Sequence, residues 1–110
     1  MGKLDLTSIL AAMLDAAKTS LEENWPSVSK FAGSSFRTLA QTLVDIEEMT
    51  HEGVISQEQA RLLLSMHKNT TKIVLLSVEL VGLVKAEAAL NAALNAIKIP
   101  VNAAIGFPIV

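Results

Sequence analysis

The sequence predicts an all-α fold: a long antiparallel helical hairpin whose copies associate into a four-helix bundle or a larger helical assembly. Three observations carry this. Apolar side chains recur at steps of three and four along most of the chain, the period of one helix face. The composition suits helix, because alanine, leucine, valine and isoleucine dominate over three prolines, five glycines and no tyrosine. Finally, 51% of residues are apolar and 18% charged, against about 25% charged in ordinary domains. A single 110-residue domain has much surface for its volume, so a hairpin this apolar is expected to need shielding by other copies.

The first helix is expected over about residues 7–51. Leu10, Leu14, Ala17, Leu21, Trp25, Val28, Ala32, Phe36, Leu39, Leu43 and Ile46 form one stripe. The stripe keeps its phase through Pro26, so one helix kinked at Pro26 is predicted; a break at "ENWPS" into separate helices is the rival reading. Proline removes one backbone hydrogen bond and clashes with the carbonyl four residues back, which accounts for either outcome.

A turn follows at 52–56. Gly53 suits the left-handed residue after a helix C-terminus. Ser56 and Gln59 have the spacing of a capping box, in which each side chain satisfies the other's free amide. A second helix is then expected over about 57–98. Leu62, Met66, Asn69, Ile73, Leu76, Leu80, Leu83, Glu87, Leu90, Leu94 and Ile97 alternate steps of four and three, the signature of coiled-coil packing. Beside this seam runs a row of small residues, Gly82, Ala86, Ala89, Ala93 and Ala96, where another backbone can approach closely. Leu76, Leu80, Gly82, Leu83, Ala86, Ala89, Leu90, Ala93, Leu94 and Ile97 are therefore the expected interface between copies. From Pro100 the helix is expected to fail, leaving an extended apolar tail over 99–110 that docks on its own chain or a neighbour.

Function is constrained mostly by what is missing. A net charge of −2 with no basic stripe argues against nucleic acid as a partner. With no cysteine, disulfides, thiolate metal sites and cysteine nucleophiles are excluded. The start, "MGKLDLTSILAAMLDAAK", mixes charge with apolar residues and does not read as a secretory signal, so a cytoplasmic location is expected. His51 and His67, the two histidines, lie in no Ser/His/Asp pattern, and no Gly-rich phosphate loop occurs. No catalytic residues and no cofactor are assigned.

Carboxylates give the remaining candidates. Glu79 stands alone in "KIVLLSVELVGLVK"; buried unpaired, it would cost several kcal/mol, so a partner among Ser27, Ser29 and Lys30 across the hairpin is expected. Glu22 and Glu23 are expected near positions 84 and 85, and Glu87 interrupts the leucine seam. Doubled by two-fold symmetry, Glu22, Glu23, Glu79 and Glu87 could bind two iron or manganese ions, although Lys18, Lys30 and Lys85 lie near enough to neutralise them. In "EEMTH", Glu48 and His51 are spaced so that both reach one ion. This element resembles the Glu-x-x-His of ferritin-like di-iron proteins; the resemblance covers these four residues alone, in the last turn of a helix rather than mid-bundle. Two-fold symmetry could supply a second such element from a partner, with Glu58 as a bridging ligand across the turn, and Glu47, one turn from His51, joins the candidate set.

Three functions follow, in order: a self-assembling structural or interaction protein, a dimetal carboxylate protein built across a dimer, and a membrane-active hairpin. For the last, the apolar run is short of the ~20 residues a bilayer span needs.

Overall fold

The computed structural model describes residues 4–77 and 81–110. The fold is all-helical, with no strand among the described residues: α1 is Leu6–Leu21, α2 Trp25–His51, α3 Gln57–Leu76 and α4 Leu83–Ile105.

The chain does not kink at Pro26; it breaks just before it. Glu22 leaves the helix with φ 48° and ψ −116°, a 3₁₀ turn spans Glu22–Asn24, and α2 starts at Trp25 with Pro26 in its first turn. There the missing N–H is no loss, since first-turn amides have no intrahelical partner. α2 buries Val28, Ala32, Phe36, Leu39, Leu43 and Ile46, the positions its spacing predicts. In α1 the buried line is Ile9, Met13, Ala17 and Leu21, with Leu10 and Leu14 only partly covered.

Local signals at the turn are realised in full. Gly53 takes φ +73°, its N–H donates to the Thr50 carbonyl and that of Val54 to the Met49 carbonyl, at 3.1 and 2.9 Å. This is a Schellman ending, which satisfies carbonyls left open at the helix end. Ser56 Oγ accepts from Gln59 N, and Gln59 Oε1 from Ser56 N, closing the capping box.

The expected single helix over 57–98 is two helices. α3 stops at Leu76, where Ser77 caps it by donating its hydroxyl to the Val74 carbonyl at 2.6 Å. Gly82 is extended at φ −80°, ψ 171° and serves as the N-cap of α4. Glycine is about 1 kcal/mol worse than alanine inside a helix, so a break costs little there. α4 in turn runs five residues past Pro100, to Ile105, where an extended tail was expected. Burial of Val101, Ala104 and Ile105 offsets the roughly 3 kcal/mol that proline costs in a helix interior. Gly106, at φ +101°, then turns the chain back.

Polar ties fix the direction of each helix. Leu4 N–H donates to Glu47 at 2.7 Å, joining the start of α1 to the end of α2. Lys85 bonds Asn24, bringing the start of α4 to the α1–α2 turn. His51 Nε2 bonds the Ala104 carbonyl at 2.7 Å, joining the ends of α2 and α4. The helices therefore alternate in direction; α1 packs chiefly on α4 and α2 chiefly on α3, around one apolar core. The radius of gyration is 13.6 Å, close to the ~13 Å of a folded single domain of this length.

Candidate functional site

The carboxylate and histidine candidates do not converge. Glu47 is 4% exposed and its carboxylate receives the Leu4 amide. Glu48, one residue on, is exposed. His51 is held by the Ala104 carbonyl in the last turn of α4, where unsatisfied carbonyls favour a donor. Glu58 lies exposed in the first turn of α3. Among the described residues, no group of three or more His, Asp or Glu side chains is placed to hold an ion.

The second set is equally scattered. Glu22 is exposed at the end of α1. Glu23 sits 3.8 Å from Lys85 with its side chain 83% exposed, so water screens the pair and it contributes little. Glu23 does meet position 85, whose lysine lies where it can offset the acid. Glu87 is exposed beside Lys68 and Lys72, in a groove of about 200 Å³ between α3 and α4. Glu79 and Leu80 lie outside the described residues.

The expected interface divides in two. Ala86, Ala89, Leu90, Ala93, Leu94 and Ile97 are no more than 5% exposed, so this part of the seam is packed inside the chain. The small residues do admit a close backbone, but it belongs to α1, whose Ala17 is also fully buried. Leu76 and Leu83 are open, and Gly82 is exposed between the helices. α3 covers its core with a line one half-turn away from the predicted stripe, through Ala60, Leu64, Thr71 and Leu75. The stripe itself points outward: Leu62 is 64%, Met66 57%, Ile73 65% and Leu76 38% exposed. The 4–3 spacing continues across two helices of different rotation, which periodicity alone cannot detect.

Two depressions flank this ridge. One, of about 290 Å³, is lined by Ile55, Gln59, Leu62, Leu63 and Met66 and is almost wholly apolar. The other, of about 530 Å³, lies between α2 and α3 and is lined by the buried Thr42 and Ile46, the half-buried Met49, Leu63 and His67, and Arg37 and Asp45. His67 and Gln41 line this cleft from opposite helices. Gln41 and Asp45 bond each other along α2 at 3.0 Å, and Thr42 bonds the Thr38 carbonyl, so much of the polar lining is satisfied by its own helix. Nothing in the cleft pairs a nucleophile with a base.

The apolar tail docks on its own chain. Asn102 Oδ1 accepts from Ile109 N and Val110 N, each at 2.9 Å. Phe107 is buried under the Arg61 guanidinium, which stacks 5.2 Å from the ring centroid. The tail is thus folded back on its own chain, with Pro108 left exposed.

In comparisons with known proteins, no family model, no curated protein and no solved structure matches the chain.

Proposed function

We propose that this chain is a non-enzymatic helical-bundle protein that acts by interaction, first of all with itself. The observation that carries this reading is the outward ridge Leu62, Met66, Ile73 and Leu76 on α3. A soluble monomer scatters exposed apolar residues, whereas a contiguous row of large ones marks a contact surface. In this reading the four helices form an up-and-down bundle within one chain, and copies meet through its outer face rather than by sharing its core. Sedimentation velocity at micromolar concentration tests it: a dimer or larger species is expected, and a monomer throughout removes the reading.

Two alternatives are tested alongside. A dimetal protein would need ligands that now sit apart, with Glu47 and His51 already engaged; metal analysis of protein from iron- and manganese-supplemented cells is expected to find under a tenth of an equivalent. A membrane role draws on α4, Leu83–Ile105, one helix of length and composition sufficient to cross a bilayer, with 44% of its apolar window buried in the fold. Its buried alanines support a core helix instead, and absence of co-flotation with liposomes is expected.

A further inference from the structure

Resting on the self-association reading, we infer that the partner surface is α3 itself, and that two copies pair through parallel, in-register α3 helices around Asn69.

Spacing comes first. Leu62, Met66, Asn69, Ile73 and Leu76 follow steps of four, three, four and three on the solvent side of α3, the repeat that lets one helix seat its side chains between those of an identical neighbour. The row is about 21 Å long at 1.5 Å rise per residue. Its midpoint is Asn69, exposed on the same face. An asparagine in an apolar seam is unfavourable against a hydrophobic partner, but its amide satisfies a second copy of itself in register. That favours a second copy of this chain over an unrelated apolar helix.

Charge then chooses the orientation. On the helical wheel, Lys68 and Lys72 lie along one side of the ridge, with Glu58 at its N-terminal end and Arg61 turned to Phe107 and the Pro108 carbonyl of its own chain, while the other side carries Gln59, Leu63, Thr70 and Ser77. Antiparallel pairing about Asn69 brings the two lysines of each copy, four in all, into one groove. Parallel pairing sets the basic side against the uncharged one, so that Ser65 faces Thr70 and Lys72 faces Ser77 of the other copy. Glu87, sharing the α3–α4 groove with Lys68 and Lys72, lowers the local positive charge further. The apolar depression at Ile55, Gln59, Leu62, Leu63 and Met66 continues the ridge and supplies a hole for a partner's side chain.

Area sets the extent of the contact. A stable pair buries about 800 Å² from each copy, and apolar patches on monomers commonly reach about 300–600 Å². Ridge and polar flanks must therefore both enter the contact.

The test uses the absence of native cysteine. Single variants Leu62→Cys, Asn69→Cys and Leu76→Cys are oxidised at protein concentrations where sedimentation reports dimer, with Ile73→Glu as the disrupting variant and circular dichroism to verify folding. Disulfide-linked dimers from all three cysteine variants, and at least tenfold weaker association for Ile73→Glu, are expected. Cross-linking by Asn69→Cys alone means antiparallel pairing and overturns the inference. A dimer that Ile73→Glu leaves intact, with no cross-link at any site, overturns α3 pairing while self-association stands. A wild-type monomer overturns both, and leaves the ridge to another protein or a lipid surface.

Discussion

Glu22 and Glu47 both looked like metal ligands by residue type, and both are explained by backbone. Glu22 adopts φ 48° with ψ −116°, the first central position of a type II′ turn, which favours glycine. A side chain there costs on the order of 1–2 kcal/mol. Glu22→Gly is therefore expected to stabilise the fold by about 1 kcal/mol, measured by urea denaturation; an unchanged or lower midpoint would contradict the strain. Glu47 binds a backbone amide 43 residues away. Glu47→Gln keeps an acceptor and should lose little, whereas Glu47→Ala leaves a buried N–H unpaired and should cost about 1–3 kcal/mol. Equal losses would show that only the side chain's bulk matters. The Glu47 role could not be read from sequence, because a remote backbone amide leaves no residue-type signature.

At the scale of elements, local chemistry was legible and long-range phase was not. The capping box and the Gly53 ending are fixed by residues within one turn of each other, so the α2–α3 link was placed correctly from its residues alone. The stripe of α2 was likewise legible because one helix carries it. The break before Leu83 was not, since the 4–3 rhythm runs on through it while the buried face rotates. Pro100 misled in the opposite sense. By residue type it reads as a terminator, yet α4 passes through it because Val101, Ala104 and Ile105 are anchored in the core. Pro100 itself is exposed, so Pro100→Ala removes the helix defect without opening a cavity. It is expected to stabilise the protein by about 1–3 kcal/mol, seen as a higher thermal midpoint. A lower one would mean that the restriction Pro100 imposes on the unfolded chain outweighs its helix cost.

The whole molecule resolves the surplus of apolar residues in an unexpected order. As one rod, residues 7–51 would leave the alanine row of the second rod to be covered by another copy. Because the first rod breaks at Glu22, α1 folds back and fills that place from within the same chain. Self-shielding thus accounts for the alanine row and the tail, but leaves the α3 ridge open, and the two surfaces become separable. Ala93 is fully buried where α4 meets its neighbours, so Ala93→Leu must overpack the core, at a cost of about 1–3 kcal/mol or more. Its thermal midpoint should fall while association of the folded fraction is unchanged. Ile73 is 65% exposed and makes no demand on the core, so Ile73→Glu should dissociate copies while the midpoint measured at high dilution stays put. If Ala93→Leu instead dissociated an otherwise intact protein, the alanine row would be an intermolecular seam, and α1 would have to leave it in the assembled state.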